Sequence, residues 1–173
     1  MPCFLMAILG AVLAGGASRR FGSDKALALL DGMTLLEHSI ASLAVQTQKV
    51  VVCGGDRAGI VSLADQPAQG LGPLAGLCAA LDHAADGGFD AVLTVPVDTH
   101  PLPDNLVHRL GKGPAAFSEQ YLIGIWPAAL HDDLANFLAL GGRAVRKWIE
   151  LCECRLVAEN GLELVNINRP NAA

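Results

Sequence analysis

An α/β protein built on a mostly parallel central sheet is the fold class the sequence predicts, and three observations carry it. Short, almost wholly apolar runs recur along the chain, longer segments with apolar residues every three or four positions fall between them, and glycine or proline marks the joins. Strands that alternate with helices pack into a sheet covered on both faces, so they lose the polar alternation of a half-solvated sheet.

The elements follow in order. Ile8 to Ala14 reads as the first strand. The opening "MPCFLMAILGAVLAGG" has the apolarity of a secretory leader, but no basic residue precedes it and it runs into a glycine loop rather than a cleavage site. It is also well short of the roughly 20 residues that span a bilayer. Thr34-Leu-Leu-Glu37 has the capping-box form and precedes a stripe of Leu36, Ile40 and Leu43, predicting a helix. "KVVVC" (Lys49 to Cys53) and "AVLTV" (Ala91 to Val95) read as buried strands, with a helix between them that opens at Gly72-Pro73, carries Leu74, Leu77 and Leu81 on one face, and stops at Gly87-Gly88. "YLIGIW" (Tyr121 to Trp126) is the fourth strand. Pro127 then precedes a helix with Leu130, Leu134, Phe137 and Leu138, which Gly141-Gly142 ends; Val145, Trp148, Ile149 and Cys152 stripe the next. From Arg155 the tail reads as a short strand, a turn at Asn160-Gly161 and an irregular "NINRP" end.

At 173 residues, 52% hydrophobic and 17% charged, the chain suits a single domain over 1–173 with a sizeable core. Its net charge of −5 excludes a surface that broadly attracts nucleic acid or anionic membrane, so an anion has to be captured by a local cluster. Five cysteines at irregular positions do not form a disulfide framework, and a reducing, cytoplasmic setting is expected. Cys152-Glu-Cys154 has one residue between its thiols and no second ligand pair nearby, which favours buried or edge thiols over zinc.

Such a cluster stands at "LAGGASRRFGSDK". The first strand runs into Gly15-Gly16, which places flexible backbone at the carboxyl edge of the sheet, where open α/β folds bind ligands and where amide N–H groups can approach an anion. Arg19, Arg20 and Lys25 follow closely in an otherwise acidic protein, and a phosphate group is the expected guest. The spelling excludes a Walker A loop, because Gly22 is followed by Ser23 and Asp24 before Lys25, and it lacks the G-x-G-x-x-G of a dinucleotide fingerprint. A second signal is "TVPVDTHPLP". It releases Asp98 at the tip of a buried strand, placed to hold Mg²⁺ against phosphate oxygens; the competing reading is a turn capped by Asp98 ahead of Pro101 and Pro103. A third, Gly70-Leu-Gly-Pro-Leu-Ala-Gly76, is a glycine-rich helix entry that serves equally as plain punctuation.

Taken together and in order, "LAGGASRRFGSDKAL", "GPLAGL", "VPVDTHPLP", "GRAVRKW" and "NINRP" resemble the motifs of the molybdenum cofactor guanylyltransferases, within the nucleotidyltransferase superfamily. The resemblance implies a Rossmann-like three-layer fold and a reaction that joins GTP to molybdopterin, or its molybdenum-bearing form, with release of pyrophosphate. It implies that Leu13, Ala14, Gly15 and Gly16 meet the nucleotide, that Arg20 and Lys25 meet its phosphates, that Asp65 contacts the nucleotide, and that Asp98 ligates Mg²⁺. Arg20, Lys25 and Asp98 are the expected catalytic set, and Asn166 and Asn168 match asparagines on the pterin side. GTP and molybdopterin are the expected substrates of a cytoplasmic monomer that touches other molybdenum cofactor biosynthesis proteins transiently. Cytidylyl transfer, transfer to another phosphorylated acceptor, and GTP binding without turnover are the rival readings. The L-A-G-G form resembles the guanylyl enzymes more than the L-A-A-G of their cytidylyl relatives, a distinction resting on Gly15. Two positions depart from the pattern: His100 stands where the family usually has proline, and Arg169 where it usually has threonine. His100 is expected to be a neutral loop residue, with a phosphate contact as the alternative.

Overall fold

The computed structural model describes residues 5–15, 24–55 and 59–167. Along the chain run β1 (Ile8–Leu13), a 3-10 turn (Lys25–Leu27), β2 (Leu29–Leu30), β3 (Met33–Thr34), α1 (Leu35–Ala44), β4 (Lys49–Cys53), β5 (Ser62–Leu63), α2 (Pro73–Asp86) and β6 (Ala91–Pro96). There follow β7 (Thr99–His100), α3 (Leu106–Leu110), β8 (Ala115–Phe117), β9 (Gly124–Pro127), α4 (His131–Ala139), α5 (Val145–Leu151), β10 (Arg155–Val157) and β11 (Val165–Asn166).

Seven strands form one sheet in the order β10-β8-β9-β6-β1-β4-β5. β1 is parallel to both its neighbours: Leu13 lies opposite Cys53 of β4 and Pro96 of β6, so these three strands deliver their carboxyl ends to one edge. β9 alone is antiparallel within the sheet, to β6 on one side and β8 on the other. Side chains alternate across β1. Leu9, Ala11 and Leu13 pack with α2, α4 and α5, whereas Ile8, Val12 and Ala14 pack with α1 and α3. Helices therefore cover both faces, giving three layers, and this double burial is why the strands carry no polar alternation.

The expected strands over Ile8 to Ala14, Lys49 to Cys53 and Ala91 to Val95 are present within a residue. The fourth is not placed as expected. Tyr121 and Leu122 form a turn and the strand runs from Gly124 to Pro127, because the Thr94 hydroxyl donates to Leu122 O at 2.8 Å and accepts from Trp126 Nε1 at 2.9 Å, fixing the entry to the reversed strand. The helix after Pro127 starts as a 3-10 turn over Ala128–Leu130 before α4 begins. The tail is also more ordered than its spelling suggests: Val165 and Asn166 pair antiparallel with His100 and Thr99.

Candidate functional site

The carboxyl edge of β1, β4 and β6 gathers several of the side chains that the sequence singles out. Leu13 and Ala14 end β1 as buried residues, their backbone held from both sides: Ala14 N donates to Cys53 O at 2.8 Å, and Val97 N donates to Leu13 O at 3.1 Å. Gly15, exposed, lies against Gly54 of the loop after β4. A Cβ on Gly54, whose φ is +97°, would stand 2.4 Å from Gly15 Cα and N, so position 54 admits only glycine. The reverse contact is gentler, a Cβ on Gly15 falling 3.3 Å from Gly54 Cα. Gly15 thus has a packing reason of its own, the close approach of two backbones.

Asp98 sits in the Val97-Asp98 turn beyond β6, on the same edge. Its carboxylate Oδ2 lies 3.6 Å from Lys25 Nζ, with each side chain about one-third exposed (29% and 32%). Lys25 opens a 3-10 turn whose cap is Asp24, which accepts from Ala26 N at 3.1 Å. The turn at Asp98 is pinned through its backbone, since Ile167 N donates to Asp98 O at 2.7 Å, while beside it Thr99 Oγ1 donates to Asn166 Oδ1 at 3.0 Å. The structure therefore brings Lys25, Asp98 and Asn166 together around the ends of β1 and β6. Asp65, past β5, lies at the β1–β4 side of the same edge: Gln66 N donates to Ala75 O at 3.1 Å, and the Asp65 carboxylate, Leu13 and Cys53 all crowd Gly76 of α2. Burial, with the Asp65 charge adding to it, pushes the neighbouring Cys53 thiol up to about 12. Gly16, Arg19, Arg20, Asn168 and Arg169 lie outside the described residues.

His100 is not a loop residue. It belongs to β7, is 5% exposed, and its Nε2 lies 3.1 Å from Val97 O; burial lowers its pKa. The sequence reading also missed Gly54, although "VVCGG" repeats the pattern of a buried strand ending in a glycine pair. At the far end of α5, the proximity of the Cys152 and Cys154 thiols pulls Cys152 down and pushes Cys154 up. Among the described residues no group of three His, Cys, Asp or Glu side chains could hold a metal, and no helix is long and apolar enough to cross a membrane.

The MobA-like NTP transferase domain matches residues 10–157. A molybdenum cofactor guanylyltransferase of Acidiphilium cryptum is 42% identical over 138 residues, covering 73% of this chain and 70% of that protein. One from Rhodobacter capsulatus is 40% identical over 131 residues, covering 72% and 68%. Among solved structures, molybdopterin-guanine dinucleotide biosynthesis protein A from Archaeoglobus fulgidus superposes with a TM-score of 0.69 at 21% identity, covering 87% of this chain and 83% of that one. The 2-C-methyl-D-erythritol 4-phosphate cytidylyltransferase of Thermus thermophilus gives 0.66 at 18% identity, covering 92% of each, a likeness of fold. With a match over most of its length and relatives this similar, the chain belongs to the family of MobA-like NTP transferase domains.

Proposed function

We propose that this protein transfers GMP from GTP to the terminal phosphate of molybdopterin, free or molybdenum-bearing, and releases pyrophosphate. The observation that carries the proposal is the Lys25–Asp98 pair at 3.6 Å, at the shared carboxyl edge of β1 and β6, in a chain whose relatives bear the guanylyltransferase name. In this reaction an oxygen of the acceptor phosphate attacks the α-phosphorus of GTP. A new P–O bond forms while the bond to the β-phosphate oxygen breaks, and its electron pair leaves with pyrophosphate. Two polyanions have to meet, so positioning and charge neutralisation supply most of the rate.

Each residue has a place in this scheme. Leu13, Ala14 and Gly15 meet base and ribose, the Gly16 amide and Arg20 approach the phosphates, and Asp65 contacts the nucleotide. Lys25 neutralises charge on the transferring phosphate. Asn166, beside the Asp98 turn, and Asn168 are assigned to acceptor binding. Asp98 is the residue to hold Mg²⁺. A single, partly exposed carboxylate fits that ion, which commonly takes one or two protein carboxylates and completes its shell with substrate phosphates and water. When bound, Mg²⁺ would offset the triphosphate charge.

A panel of GTP, CTP and ATP against molybdopterin and sugar-phosphate acceptors, read by pyrophosphate release and product mass, tests base, acceptor and turnover together. Guanine dinucleotide with GTP and Mg²⁺ is the expected product. Turnover with CTP alone sinks the guanylyl assignment, and tight GTP binding with no pyrophosphate from any acceptor sinks the enzyme.

A further inference from the structure

The geometry points to His38 and His100 as a pair of positioning residues that hold the arm carrying Lys25 against the turn carrying Asp98 and so set the separation of the two groups. The functional consequence rests on the transfer reaction proposed above; the structural one does not.

Each imidazole terminates on the backbone of a different half of the site. His38, on α1, places Nε2 at 2.7 Å from Leu30 O, in the β2–β3 hairpin that follows directly on the Lys25 turn. The same hairpin is tied to α1 by Leu35 N donating to Ala28 O at 2.9 Å. His100, on β7, places Nε2 at 3.1 Å from Val97 O, one residue before Asp98. A carbonyl only accepts, so both rings carry the proton on Nε2. The two rings then meet edge to face, with centroids 5.5 Å apart and planes at 67°, in the range where aromatic rings attract. The path from Lys25 to Asp98 thus runs through hairpin, His38, His100 and turn without a break.

A histidine that merely fills the core could be replaced by a ring of similar size without consequence for the reaction. The test separates the two cases. His38→Phe and His100→Phe keep the ring contact and lose the donor; His100→Gln keeps a donor. If the pair positions the site, each Phe variant lowers kcat about tenfold or more while KM for GTP stays within twofold, since an ångström of misplacement can cost on the order of 10²-fold in rate. The double Phe variant is then no worse than the poorer single one, as expected of groups acting as one unit. His100→Gln recovers kcat to within about threefold. Crystal structures of the same variants show the Lys25–Asp98 gap opening in His100→Phe and closing again in His100→Gln. Wild-type kcat in both Phe variants with an unchanged gap overturns the proposal, and so do losses that multiply in the double variant. Should His100→Phe not fold, His38→Phe and His100→Gln decide it by the same readouts. If the wild-type protein turns over no acceptor, the transfer reading is what fails, and the crystallographic gap alone decides this one.

Discussion

At the scale of single residues, Lys25 and Asp98 differ in what their loss removes. Asp98→Ala is expected to abolish transfer and leave Tm unchanged, because the carboxylate is about one-third exposed and the turn is held by backbone bonds rather than by its side chain. Lys25→Ala lowers kcat/KM by about 10²-fold, the cost typical of losing one donor to developing charge. Steady-state kinetics with thermal melts check both, and full activity in either variant removes that residue from the mechanism. The glycine pair gives an asymmetric expectation. Gly54→Ala drives a methyl into the backbone of residue 15 and destabilises the protein by about 1–3 kcal/mol, whereas Gly15→Ala needs only a small shift and stays near wild-type stability in urea melts. Equal destabilisation by both would contradict the contact. Much at this scale was legible in the sequence: Asp98 announced itself as a carboxylate at a strand tip, and Lys25 as a cation after a glycine turn. Gly15 was read for anion approach, nucleotide contact and base preference but not for packing, since its packing partner is distant in sequence, and the surroundings of His100 depended on a carbonyl and a ring that only the fold brings near.

At the scale of elements, α1 shows how a local code survives into the structure. Thr34 Oγ1 accepts from Glu37 N at 3.1 Å and the Glu37 carboxylate accepts from Thr34 N at 2.7 Å, the reciprocal box that the spelling predicts. These bonds from the Thr34 backbone and hydroxyl hold the Glu37 carboxyl below the usual carboxylate range. A carboxylate whose folded pKa is depressed adds stability that is present above its unfolded pKa and is lost as pH falls through the folded value. Thr34→Ala costs about 1 kcal/mol at neutral pH. The difference from wild type shrinks as Glu37 protonates in acid; a gap in denaturation free energy that stays constant down to pH 3 would refute the assignment. Capping, proline entry and glycine exit are written within a few neighbouring residues, which is why α1, α2 and the end of α4 could be located in advance. Strands of two or three residues, such as β5, β7, β8 and β11, have no such code: they exist because a partner strand arrives beside them.

At the scale of the whole molecule, the doubly covered sheet was legible because burial on both faces erases polar alternation from every central strand. The reversal at β9 was not, since an apolar run reads the same in either direction and its antiparallel pairing with β6 and β8 is set by distant segments. The β7–β11 ribbon carries a further consequence, one of timing. The Thr99–Asn166 bond joins residues 67 apart in sequence, and Ile167 N supplies the donor for the Asp98 carbonyl. Chains emerge from the ribosome in order, so β1, β4 and β6 can pair while this last segment is still being made. The edge formed by β1, β4 and β6 can therefore assemble first, and the ribbon that holds the Asp98 turn closes only when residues 165–167 arrive, making it the late and separable part of the described fold.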